Sequence, residues 1–473
     1  MRPCIRDEHS YHRVQAHERW VQGGVRNRKS EKENMNRIVR AVASGIFLVL
    51  FASLSFGQSL NVTEKVLPNG LKVLLKEEHK APVVTFQVWY KVGSRNECLG
   101  KTGLSHMLEH MMFKGTKKYG PKTFSQTVQR NGGNDNAFTS HDYTAYFESF
   151  AADRIAISLD LESDRMQNLL LDPKDFLSER DVVKEERRMR TEDDPVNAMV
   201  EQMMSVAFSA HPYQWPVIGW MSDISNFTRE DLVRYYRTYY EPNNATLVVV
   251  GDFDTKKLLA QIEQSFGKIP RGPEAPKVAA IEPKHLGERR VIVKRPAELP
   301  AVFAGYIAPT VSNPDSSALD VLQGILSSGK SSRLYKSLVY EKQLALYAGG
   351  DYDNVSADPN LFYVYAGLMP GKTTEEVEKA LYDEIDKFKN EPVTDEELQK
   401  AKNQIEAAFI MGQDSNFYQA MLLGQYESVA NWRLLEKYVD NIRAVTKEDV
   451  MRVAKEYFLA DNRTVGILVP IKK

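Results

Sequence analysis

The sequence predicts an α+β chain made of two duplicated domains, each a largely antiparallel sheet with helices packed on it. Three observations carry this expectation. The chain repeats itself: Thr228-Arg-Glu-Asp, followed by Tyr239, Asn244, Thr246 and the apolar run 247–250, recurs 218 positions later as Thr446-Lys-Glu-Asp, Tyr457, Asn462, Thr464 and 465–468. Residues 61–67 and 71–76 flank Pro68-Asn69-Gly70, a turn suited to left-handed backbone, and read as a hairpin. Val84, Phe86, Val88, Tyr90 and Val92 alternate with their neighbours, as a half-buried strand should.

Taken in order, residues 1–34 are polar and basic and read as an extension upstream of a translation start at Met35. Residues 35–57 have the layout of a secretory signal peptide: Arg37 and Arg40, an apolar stretch over 41–56, then small Ser55 and Gly57 before the cut. This leader places the mature chain in the periplasm or outside the cell. An N-terminal domain is expected over 58–270 and a C-terminal domain over 288–473, joined by a Pro- and charge-rich linker at 271–287. Thr228 and Thr446 suit helix N-caps, with Asp231 and Asp449 near the positive helix end. Leu258, Ile262 and Phe266, four apart, mark a helix face.

Composition limits the function classes. With 473 residues, 42% hydrophobic and 26% charged, the chain is globular. It carries 62 Lys+Arg against 63 Asp+Glu, so overall charge gives no basis for nucleic-acid binding. Without the 10 basic and 5 acidic residues of 1–57, the remainder has a net charge of −6. No run of 18 apolar residues follows the leader, so no membrane span is expected in the mature chain. Of the 2 cysteines, Cys4 falls in the leader; Cys98 alone can form neither an intrachain disulfide nor a thiolate metal site.

The chemistry centres on Thr102-Gly-Leu-Ser-His106-Met-Leu-Glu109-His110-Met-Met-Phe113. On a helix His106 and His110 share a face and can offer two imidazoles to one metal, with Glu109 within reach of a water there. Leu104, Met107, Leu108 and Met111 make the rest of the helix apolar, and buried imidazoles need partners. A catalytic zinc needs a third protein ligand and an open position. The segment from Asp172 to Glu186 supplies candidates, because Glu179 and Glu186 are seven apart and share one helical face. Beyond residue 57 the remaining histidines, His79, His141, His211 and His285, are isolated in sequence; His211-Pro-Tyr reads as a turn, and Asp193-Asp194-Pro195 as a helix stop.

His106-Met-Leu-Glu-His110 is an inverted zinc motif. Together with PNGLKV, GSRNE, KTGLSHMLEHMMFKGT, NAFTSHDYTAYF, SERDVVKEE, HPYQWPVIG and SSRLY, it resembles the pitrilysin, insulin-degrading enzyme and mitochondrial processing peptidase superfamily, closest to the half-size bacterial members. The resemblance covers nearly all of 60–473. It implies a secreted zinc metalloendopeptidase acting on unfolded peptides, with one Zn²⁺ per chain held by His106, His110 and Glu186. It makes Glu109 the general base, Glu179 a carboxylate that orients the site, and Asn136, Ala137 and Phe138 an edge strand that pairs with the peptide substrate. The second half resembles the non-catalytic domain, with Val321, Gly324 and Ile325 roughly where the motif residues would stand. Tyr347 matches a substrate-holding Tyr, whereas Tyr340 stands where relatives have an Arg, and Arg333 is a possible substitute. The chain therefore looks like the zinc-bearing member of a two-chain pair, forming a homodimer or a heterodimer with a related chain lacking the zinc motif. Other functions that fit are a non-catalytic or chaperone-like subunit and a specific pro-segment processing peptidase. N-terminal sequencing of the secreted protein should find Gln58 first; a mature chain starting well before it contradicts the assigned leader.

Overall fold

The computed structural model describes residues 60–472, so the leader expected over 1–57 lies outside the described residues. The first half contains strands β1 (Thr63–Val66), β2 (Lys72–Glu77), β3 (Val83–Tyr90), β4 (Asn134–Thr139), β5 (Thr144–Ala151) and β6 (Ala245–Gly251). Its helices are α1 (Leu104–Met111), α2 (Thr123–Arg130), α3 (Ile155–Asn168), α4 (Pro173–Arg187), α5 (Pro195–Ala207), α6 (Met221–Asn226), α7 (Arg229–Tyr239) and α8 (Thr255–Ser265). The second half contains β7 (Arg289–Pro296), β8 (Ala301–Ala308), β9 (Ala345–Tyr352), β10 (Asn360–Leu368) and β11 (Arg463–Ile471). Its helices are α9 (Ser316–Ser327), α10 (Thr374–Asn390), α11 (Asp395–Gly412), α12 (Asn416–Val429), α13 (Tyr438–Ala444) and α14 (Lys447–Tyr457).

The strands form two sheets, ordered β1-β2-β6-β3-β5-β4 and β7-β11-β8-β10-β9. Each has a single parallel pair, β2 with β6 and β7 with β11, and is otherwise antiparallel, as expected. The hairpin of β1 and β2 turns through Gly70 at φ +92°. Thr228 and Thr446 each cap their helix in a reciprocal box with Asp231 and Asp449.

One expectation needs correcting. β3 reads as half-buried, but every residue from Val84 to Tyr90 is buried on both faces of the sheet. Phe86, Val88 and Tyr90 face the first-half helices, while Trp89 faces α12, a helix from the second half. The exchange is reciprocal, since α5 from the first half lies on β7 and β11 of the second sheet. Shifted by the repeat, 195–207 falls on 413–425, which overlaps α12. The two halves thus cover one another's sheets, and 58–473 is one compact unit.

The crossing of α12 over β3 is close. A Cβ on Gly424 would lie 2.1 Å from the fully buried Trp89 indole. That ring is held by its Nε1 donating to Gln87 Oε1 at 2.9 Å. Gly424→Val should therefore lower the unfolding free energy by about 1–3 kcal/mol through overpacking, read as a lower urea midpoint at unchanged slope. An unchanged midpoint contradicts this packing.

Candidate metal centre

The short helix α1 has no side-chain N-cap of its own, because its cap residue is Gly103 at φ +91°. Only glycine fits there, since a Cβ would approach Ile218 O at 2.6 Å in addition to the strained φ. The cap comes from outside the helix: the Glu97 carboxylate accepts from Gly103 N at 2.7 Å and Ser105 N at 2.6 Å. Burial pushes Glu97 up to about 8, against those two backbone bonds. Asp223 grips the preceding loop, accepting from Gly100 N, Thr102 N and Thr102 Oγ1. Leu104, Met107, Leu108 and Met111 then sink into the core, which leaves His106, Glu109 and His110 on the opposite face.

Helix α4 is started by Asp172, whose side chain accepts from Lys174 N and Asp175 N, with Pro173 in the first turn. Its buried stripe is Phe176, Glu179, Val183 and Arg187. Arg187 forks onto Glu201 of α5 at 2.9 and 3.0 Å and donates to Gly219 O at 2.8 Å. Gly219 packs against Gly103, so this arginine ties the far end of α4 to the start of α1.

Between the two helices, one ligand atom each from His106, His110 and Glu186 lie within 4.8 Å of one another. Glu186 Oε2 is 3.3 Å from His110 Nε2 and 3.8 Å from His106 Nε2. A tetrahedral zinc with bonds of about 2.0–2.1 Å keeps its ligand atoms about 3.3 Å apart, so the donors fit that ion with little adjustment. Their electrostatics fit as well. Burial, then the neighbouring His110, pushes His106 down to about 4, leaving it a neutral imidazole with a free lone pair. Burial also disfavours charge on His110, but the bonds from Glu179 and Glu186 outweigh it and hold the ring up at about 9. The cluster therefore favours a positive charge, which a divalent cation supplies. Among the described residues it is the one such group of His, Cys, Asp and Glu side chains.

The surrounding residues orient the donors. His110 Nδ1 is 2.9 Å from Glu179 Oε1, which fixes that nitrogen as the N–H and frees Nε2. Lys114 pairs with the other Glu179 oxygen. Arg190 takes the other Glu186 oxygen, Nη1 to Oε1 at 2.9 Å. Glu109 accepts from Thr139 Oγ1 at 2.5 Å, which binds α1 to β4. Burial raises the Glu109 carboxyl against that hydrogen bond. A cleft of about 520 Å³ opens beside Glu109 and His110 and reaches Asn136, Phe113 and Ser125.

The structure brings together His106, His110, Glu186, Glu109 and Glu179. Glu185, the adjacent acid, points away and pairs with Arg188. Asn136, Ala137 and Phe138 lie on β4, the outermost strand of its sheet. Tyr347 lies on β9 at the edge of the second sheet, its ring near Tyr365, and is not among the cleft residues. Tyr340 is 75% exposed. Arg333, the possible substitute, forks onto Glu397 at 2.8 and 2.9 Å and lies over the Phe388 ring. Asp194 does not simply stop a helix; its side chain caps the start of α5. Sequence reasoning missed Glu97, Thr139 and Arg190, whose partners only the fold identifies.

Family models and similar proteins place the chain in one family. The profile described as "Insulinase (Peptidase family M16)" matches residues 72–219, and "Peptidase M16 inactive domain" matches 226–405. A zinc protease of Helicobacter pylori, PqqE, is 36% identical over 434 residues, 91% of this chain and 98% of that protein. An uncharacterized zinc protease of Streptomyces coelicolor is 28% identical, covering 87% of this chain and 90% of its own length. The crystal structure of a protease from Helicobacter pylori superposes with a TM-score of 0.84 at 36% identity, covering 87% of this chain and 99% of that one. An M16 inactive-domain structure from Pseudomonas fluorescens shares the fold with a TM-score of 0.80 at 17% identity, over 88% of this chain and 99% of that one. Fold and site define a metallopeptidase-like α+β protein. The chain belongs to peptidase family M16, among its half-size members.

Glu179→Ala should lower zinc affinity about 10–100-fold in a chelator competition, because His110 loses the partner that sets its tautomer. Unchanged affinity contradicts that role.

Proposed function

We propose that this chain is a zinc metalloendopeptidase that hydrolyses peptide bonds of unfolded peptides, in the periplasm or outside the cell. The convergence of His106, His110 and Glu186 beside a half-buried Glu109 carries this reading. Those three side chains would hold one zinc ion, which when bound supplies Lewis-acid polarisation of a carbonyl and acidification of water. The remaining steps belong to the chain's own groups. The free edge of β4 offers main-chain donors and acceptors to an extended peptide, so grip depends little on side-chain identity. Thr139 holds Glu109 Oε2, leaving Oε1 to take a proton from the attacking water and pass it to the leaving amine. Burial makes Glu109 a stronger base for that task.

The second half supplies no comparable donors at the matching place, since Val321, Gly324 and Ile325 are buried in α9. Tyr340 and Tyr347 are exposed and carry no guanidinium. We therefore place the chain in a pair, either a homodimer or a heterodimer with a related chain lacking the zinc motif. A non-catalytic subunit is disfavoured by the complete donor set and by Glu109 in place beside it.

Glu109→Gln should keep one zinc per chain and lose at least about 100-fold in peptide turnover. Near wild-type turnover in that variant removes Glu109 from the mechanism. A zinc-loaded wild-type chain that cleaves no unfolded peptide, alone or together with the related chain, favours the non-catalytic subunit instead.

A further inference from the structure

The run Arg187-Arg188-Met189-Arg190 follows the metal-facing end of α4, and its three arginines differ in commitment. Arg187 is buried and spent on Glu201 and Gly219 O. Arg188 is tied to Glu185. Arg190 lies in a wide turn of π geometry, 188–192, a backbone form often found at functional sites. Its side chain is 72% exposed, and one contact, Nη1 to Glu186 Oε1 at 2.9 Å, anchors it. Its other N–H donors make no hydrogen bond or ion pair among the described residues. The anchor places a guanidinium beside the metal cluster, close enough for its charge to act on His106 and Glu109. Two lysines line the cleft, Lys114, which shares Glu179 with His110, and Lys122, whereas Arg190 stands at the metal cluster outside that lining.

We propose that Arg190 is a specificity-determining residue that receives a carboxylate of the bound peptide, within two residues of the scissile bond. This rests on the peptidase reading above. A guanidinium anchored on one edge and open on the other is pre-organised to fork onto a second carboxylate. Glu186 already shares its charge with two imidazoles, so it leaves Arg190 only partly compensated. The substrate class that follows is peptides carrying Asp or Glu next to the cut, despite the chain's own net negative charge.

The test uses the full zinc-loaded chain and peptide pairs that differ by Asp against Asn at each of the four positions flanking the cut. The wild type should favour Asp at one position about tenfold in kcat/KM, mostly through KM. In the zinc-loaded fraction, Arg190→Ala should bring that ratio within twofold, and Arg190→Glu should shift the preference to Lys. A second arm measures binding of the same peptides to the Glu109→Gln chain, with and without Arg190→Ala, by fluorescence anisotropy. An equal Asp-to-Asn ratio with and without Arg190 in both arms overturns the proposal. So does a variant that loses zinc while its loaded fraction keeps the Asp preference, which makes Arg190 only a positioning residue for Glu186. If the wild type cleaves nothing, alone or with the related chain, the peptidase reading fails, and the binding arm still decides whether Arg190 recognises the carboxylate.

Discussion

Two imidazoles and three carboxylates from two helices, buried or half-buried, gather beside a cleft, and the rest of the structure depends on holding them there. Burying such groups without compensation costs several kcal/mol per charge. Three of the five have a defined partner, Glu179 on His110, Arg190 on Glu186 and Thr139 on Glu109, whereas His106 Nδ1 is buried without a hydrogen bond. Burial lowers His106, and the neighbouring carboxylates raise His110 against the same burial.

Holding α1 and α4 in register takes contacts well outside the motif. Glu97 and Asp223 are acids placed where the backbone N–H groups of the loop and first turn of α1 need acceptors. Arg187 couples the end of α4 to the same loop through Gly219. The exchanged helices α5 and α12 extend this coupling to the whole chain, because each sheet takes part of its cover from the other half. The edge of β4 therefore belongs to a structure that neither half completes alone.

Much of this is legible in the sequence, for local reasons. The spacing of His106 and His110 puts both rings on one face, and the spacing of Glu179 and Glu186 does the same for two acids. The capping threonines and the hairpin at Gly70 are set by short-range chemistry that the fold preserves. The choice of Glu186 over Glu185 is settled by which side of α4 faces α1, a tertiary fact that spacing only brackets. β3 reads as half-buried because its second cover, α12, lies more than 300 positions away in sequence. Arg333 looks available in sequence, but Glu397 occupies it across a similarly unreadable contact. Glu97 and Thr139 fall inside segments that carry the resemblance and Arg190 falls in none, but the role of each depends on a partner on another element or across an irregular turn.

The central claim is that His106, His110 and Glu186 form one zinc site. X-ray absorption at the zinc edge on the purified chain tests it most directly. The account predicts a single zinc per chain with a first shell of light atoms, two of them imidazole nitrogens by their outer-shell scattering, and loss of one imidazole signature in His110→Ala. Absence of bound zinc, or a spectrum unchanged by removing His110, would contradict it.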